Sequence, residues 1–80
     1  VASSATTVSL LALNTNRLGA TVYNESTAIL YLKLGATASL TSYSIQMFPS
    51  SYYEVPFSYT GAIDGIWASA NGNARITELT

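Results

Sequence analysis

Leu18-Gly-Ala-Thr-Val-Tyr-Asn24, then Glu25-Ser-Thr27, then Ala28-Ile-Leu-Tyr-Leu-Lys-Leu34: the reading of this stretch decides the fold class of the chain. Its first part, entered from Arg17, alternates Leu18, Ala20 and Val22 on one face with Gly19, Thr21 and Tyr23 on the other. That is the period of a half-buried strand and not of a helix. Asn24-Glu25-Ser26-Thr27 turns the chain, because Asn and Ser side chains hydrogen-bond the nearby backbone. The second part resumes the alternation with Leu30, Leu32 and Leu34 inward, so residues 18–34 read as a β-hairpin. The opposite set on that strand, Ile29, Tyr31 and Lys33, is far from polar, which places both of its faces against protein.

Upstream, Val8-Ser-Leu-Leu-Ala-Leu13 is an apolar run that ends in the turn-forming Asn14-Thr-Asn16, a strand and its loop. Before it, Val1, Ala2, Ser3, Ser4, Ala5, Thr6 and Thr7 are small and mostly polar. Residues 1–7 read as an extended arm, either disordered or adding a strand to a neighbour, and residues 8–80 as a single domain.

Downstream, residues 35–42 are a loop of small side chains, and residues 43–47 alternate with Tyr43, Ile45 and Met47 inward. Phe48-Pro-Ser-Ser51 is a turn, and Tyr52-Tyr-Glu-Val55 is a short strand closed by Pro56, which lacks the N–H a central strand needs. In residues 62–68 Ile63 and Trp67 share one face while Ile66 takes the other. Asn71-Gly72-Asn73 reads as a hairpin turn into a last strand over residues 74–79. Gly19 and Gly65, inside strands, mark bulges or close approach of backbone. About six or seven short strands with no convincing helix make this an all-β chain, a small antiparallel β-sandwich or barrel.

The totals narrow the function. At 80 residues the chain is one domain, and with no cysteine and no histidine it lacks disulfides and the usual soft metal ligands. Charged residues are 9%, against roughly 25% in ordinary soluble proteins. A net charge of −1 does little to keep copies apart. A core this small favours oligomerisation as the remaining common route to stability. Arg17, Lys33 and Arg75 are too few and too spread to neutralise a run of phosphates, so no nucleic-acid partner is expected. No apolar run is long enough for a membrane span, and residues 1–7 lack the regions of a signal peptide, so assembly in a cytoplasm is expected.

Reactive constellations are equally scarce. Ser and Thr have no histidine to activate them, and the carboxylates Glu25, Glu54, Asp64 and Glu78 read as solvated or paired with Arg17, Arg75 or Lys33. The expectation is no enzyme and no cofactor. Phe48, Tyr52, Tyr53, Phe57, Tyr59 and Trp67 are able to stack sugar rings, but Phe57, Trp67 and half the tyrosines are expected to fill the core instead. Asn24-Glu25-Ser26 has the spacing of a glycosylation acceptor and reads as a turn.

Asn16-Arg-Leu-Gly-Ala-Thr-Val-Tyr-Asn-Glu-Ser-Thr-Ala28, Leu30-Tyr-Leu-Lys-Leu-Gly35, Tyr52-Tyr-Glu-Val-Pro56, Tyr59-Thr-Gly-Ala-Ile-Asp-Gly-Ile-Trp-Ala-Ser-Ala-Asn-Gly72 and Ala74-Arg-Ile-Thr-Glu78 together carry a resemblance. The chain resembles a small module recurrent in tailed bacteriophages, found in minor structural proteins of the virion. The resemblance implies a virion location and a β-sandwich, and no catalytic residue. In the motif Arg17 pairs with a carboxylate or caps carbonyls, and Trp67 anchors the core.

The leading expectation is therefore a capsid decoration, or cement, protein: a dimer or trimer of this chain on the outside of the capsid, clamping the major capsid protein lattice after the shell expands. Ile29, Tyr31 and Ile66 are the expected contact between copies, unless a second sheet of the same chain covers them, and the arm of residues 1–7 is the expected contact with the capsid. The alternative is a receptor- or glycan-binding module of a tail or head fibre, with Tyr52, Tyr53 and Tyr59 exposed to sugar.

Overall fold

A computed structural model describes residues 1–80. The alternation in the deciding stretch places β2 (Gly19–Ser26) with Ala20, Val22 and Asn24 buried and Tyr23 and Glu25 outward. The other strands are β1 (Val8–Leu11), β3 (Leu30–Leu34), β4 (Ile45–Met47), β5 (Tyr52–Val55), β6 (Ile63–Trp67) and β7 (Gly72–Leu79), and there is no helix. They form two antiparallel sheets, one of four strands in the order β1-β6-β3-β4 and one of three in the order β5-β2-β7. The chain is a small β-sandwich.

Every strand presents one face to the layer between the sheets. From the four-stranded sheet come Leu30, Leu32, Met47, Ile63 and Trp67, all nearly or fully buried, and from the three-stranded sheet Ala20, Val22, Val55 and Ala74. Trp67 lies opposite Leu30 in register, so the largest side chain of the core sits beside a fully buried leucine. Complete burial of a side chain such as Leu30 or Leu32 contributes roughly 1.5–3 kcal/mol. Gly65 lies in this layer because a Cβ there would come within 2.9 Å of Leu10 Cδ1 and 3.0 Å of Leu30 Cδ1. The expected close approach is real at Gly65; at Gly19 a Cβ would meet only Leu79 Cδ1, at an ordinary 3.8 Å.

Two expected hairpins do not form. β2 and β3 belong to different sheets, and so do β6 and β7; of the consecutive strands only β3 and β4 are paired neighbours. The reason at the first site is Asn24. It is fully buried, its Nδ2 donates to Ala28 O at 2.9 Å and Met47 O at 2.8 Å, and its Oδ1 accepts from Trp67 Nε1 at 3.2 Å and Ser26 Oγ at 2.7 Å. These partners sit in the other sheet or on the way to it, so the chain crosses over the end of the core instead of folding back beside β2. The same burial removes Asn24 from the expected turn and from any role as a glycan acceptor. At the second site Gly72 is already strand, opposite Ser26.

Other side chains leave their expected places. Leu18 precedes β2 and is 63% exposed, Tyr43 lies outside β4 and is exposed, and Phe57 is 80% exposed instead of filling the core. The strand expected over residues 8–13 stops at Leu11. Pro56 follows β5, an edge strand, as its missing N–H requires.

Candidate functional site

No cleft or cavity opens in this molecule, so its candidate sites are surfaces. One end of the sandwich, where several apolar side chains are exposed, is organised by a residue that is itself almost wholly buried. Arg17 is 3% exposed, with Nε donating to Glu78 Oε2 at 2.7 Å, Nη1 to Gly61 O at 2.9 Å and Nη2 to Ala12 O at 2.6 Å. One planar guanidinium thus ties the segment after β1, the segment before β6 and the end of β7 to the entry of β2. Asn14 N–H to Thr60 O, at 2.9 Å, and Leu18 N–H to Leu79 O, at 2.7 Å, close the same end. The Arg17 hydrogen bond holds the Glu78 carboxyl below the ordinary glutamate value of 4.5, helped by Asn14 and opposed by desolvation.

On the segments held this way stand Leu13, Leu18, Phe57 and Leu79, each more than half exposed. Leu18 and Leu79 are joined through the backbone, Leu13 is next to Ala12, and Phe57 lies between β5 and Tyr59, whose carbonyl faces Arg17 Nη1 at 3.5 Å. The role of Arg17 in pairing and capping is legible in the sequence, whereas the exposure of these four side chains at one end is not. The signal available was the position of large apolar residues beside turn residues at strand ends, where alternation no longer dictates burial.

Of the expected copy-to-copy contact, Tyr31 and Ile66 lie side by side, while Ile29 immediately precedes β3. Tyr31 opposes Ile66 on one side and Gln46 on the other, on the outer face of the four-stranded sheet. The second sheet packs against the opposite face, where Leu30, Leu32 and Trp67 lie. Tyr43 stands edge-on to Tyr31 with ring centroids 5.0 Å apart. Ile66 is nonetheless only 9% exposed, so Ile29, Tyr31 and Tyr43 offer more surface.

The arm of residues 1–7 is docked on its own chain. Val1 and Ala74 exchange backbone hydrogen bonds at 2.9 and 2.7 Å, Ser3 N–H donates to Gly72 O at 2.9 Å, and Ser4 O accepts from Trp67 N–H at 2.8 Å. Its first residues extend the three-stranded sheet beyond β7 and then pass to β6 of the other sheet. Backbone groups at a sheet edge need partners, and this segment supplies them within the chain.

Tyr52, Tyr53 and Tyr59 are not brought together. Tyr52 is outward and 61% exposed; Tyr53 points into the layer between the sheets; the Tyr59 hydroxyl donates to Ala62 O at 2.7 Å. Tyr52 has a different neighbour, Tyr23, directly across the strands. Beyond Tyr23 in the same row is Arg75, paired with Glu25 at 2.9 Å.

The four carboxylates are also dispersed: Glu78 with Arg17, Glu25 with Arg75, and Glu54 and Asp64 on different sheets. No three acidic, histidine or cysteine side chains gather into a metal-binding group. Comparison with protein-family models, curated proteins and solved structures finds no match for the chain.

Proposed function

We propose that this chain is a virion structural module that works by docking on other protein surfaces. Its particular role is that of a tailed-phage capsid decoration protein, on the outside of the major capsid protein shell and present as a homo-oligomer assembled in the host cytoplasm. The observation that carries this reading is the braced end. Leu13, Leu18, Phe57 and Leu79 are exposed at the end where Arg17 ties the segments together by hydrogen bonds, so docking would bury apolar area on a braced backbone. The sequence resemblance supplies the partner, and Ile29 and Tyr31 remain the candidate contact between copies. A shell multiplies modest affinity per copy into firm retention.

The test is cosedimentation with expanded capsids that lack the protein. The expected result is saturation at a fixed ratio to the major capsid protein, lost when Leu13 and Phe57 are both replaced by Ser. Absence of binding by the parent chain overturns the reading.

The row Tyr52-Tyr23-Arg75 favours a second reading, the glycan- or receptor-binding module of a fibre, because exposed tyrosine rings beside charged hydrogen-bonding groups suit a sugar. That reading requires saturable glycan binding that Tyr52→Ala abolishes, with no affinity for capsids.

A further inference from the structure

The first four residues pair with their own chain in a way that another copy is able to reproduce. Val1 and Ser3 bond to Ala74 and Gly72 at the edge of one sheet, and Ser4 bonds to Trp67 in the other. Gly72 N–H also donates to Ser3 Oγ at 2.9 Å. None of residues 1–7 is buried, so lifting them away uncovers little apolar surface. It would, however, leave the N–H groups of Ala74 and Trp67, both 1% exposed, without partners. The acceptor positions thus require a strand, while the donor segment is held almost entirely by backbone bonds. Between this segment and β1, residues 5–7 are exposed, and their local side-chain ties run only to Ser4, from Thr6 N–H and between the two hydroxyls, each at 3.1 Å. They form a hinge.

We propose that the chain exchanges this segment with a second copy of itself, residues 1–4 of each copy pairing with β7 and β6 of the other. This rests on the reading of a self-associating module and names the contact. Exchange substitutes identical bonds for identical bonds, so the balance is set by association entropy, which a high local concentration of copies offsets. A net charge of −1 adds almost no repulsion between them. The exchanged end, at Trp67 and Gly72, lies at the opposite end of the strands from Arg17 and Leu79. A copy is thus able to hold its neighbour by one end and a shell by the other.

Ala2 and Asn73 face each other between two hydrogen-bonded pairs, the narrow antiparallel position at which side chains approach closely enough for a disulfide, and both are exposed. Ala2→Cys protein mixed with Asn73→Cys protein at the highest soluble concentration, then oxidised, is expected to give mainly dimers joined from position 2 of one copy to position 73 of another. Mass spectrometry under non-reducing conditions reads the linkage. Only 2–2 or 73–73 dimers, or no dimers, would overturn the proposal. A chain carrying both substitutions, oxidised when dilute, locks the segment onto itself and is expected to be monomeric by light scattering. Self-association of that locked chain at the parent level would equally overturn exchange. Capsid binding is measured separately, so retained binding without exchange sinks exchange alone.

Discussion

Arg17 occupies a place that lysine cannot fill, because its donors diverge toward three carbonyls and a carboxylate from one planar group. Arg17→Lys should cost about 1–3 kcal/mol and Arg17→Met about 3–5 kcal/mol, since the second leaves Glu78 and the carbonyls unpaired. Urea midpoints at unchanged slope would check both. Glu78 adds a pH dependence of known sign. Its folded value is depressed by Arg17 below 4.5, so its stabilising contribution is complete above that pH and is lost as the pH falls through the folded value. Glu78→Gln should flatten the acid limb of the stability curve, measured by thermal melts from neutral to acid pH. Asn24 is the corresponding residue at the other end. Asn24→Asp keeps the shape but removes both donors to Ala28 and Met47, and should cost about 2–4 kcal/mol. The single Trp67, whose indole N–H bonds to Asn24, reports the change in its fluorescence. An unshifted midpoint and spectrum would contradict the role given to Asn24.

At the scale of elements, Gly65 and Gly72 are both in close contact but differ in what they touch. A Cβ at Gly65 would meet side-chain atoms of Leu10 and Leu30, which shift more readily than backbone. At Gly72 it would meet Glu25 O at 2.5 Å and Ser26 Cα at 2.5 Å, atoms of the paired strand's backbone. Gly65→Ala should therefore cost about 1 kcal/mol and Gly72→Ala about 3 kcal/mol. Gly72→Ala should also loosen the docking of Ser3, seen as faster amide exchange at Ala74 and Trp67. Equal costs for the two variants would show that β2 and β7 are free to part at that end.

Over the whole molecule, the low charge that the composition revealed acts through the surfaces the fold exposes. Docking through Leu13, Leu18, Phe57 and Leu79 is not screened by ions, whereas attachment through charge weakens as the Debye length shrinks to about 3 Å at 1 M salt. Capsid retention should thus survive 1 M salt in cosedimentation, and its disappearance there would contradict an apolar interface. Leu13→Ser and Phe57→Ser should leave stability within about 0.5 kcal/mol, because neither side chain is in the core. Loss of folding in either variant would mean that this end is structural and not a docking surface.

Strand character, the all-β class and much of the core were legible in the residues themselves. Alternation in β2 and β3 marks inward positions such as Val22, Leu30 and Leu32, and the scarcity of charge marks a surface suited to contact. The pairing and capping role of Arg17 followed from its place before a strand. Which sheet each strand joins was decided only by the tertiary structure. A period of two tells which side chains face a partner layer but not which strand lies beside which: Asn24-Glu25-Ser26 and Asn71-Gly72-Asn73 read locally as turns, yet Asn24–Ser26 and Gly72–Asn73 are strand and the chain crosses between layers next to them. The exposure of Phe57, the grouping of Tyr52 with Tyr23 and the docking of residues 1–4 on β7 and β6 were hidden for the same reason. Each depends on backbone groups and core space contributed by residues far away in the chain.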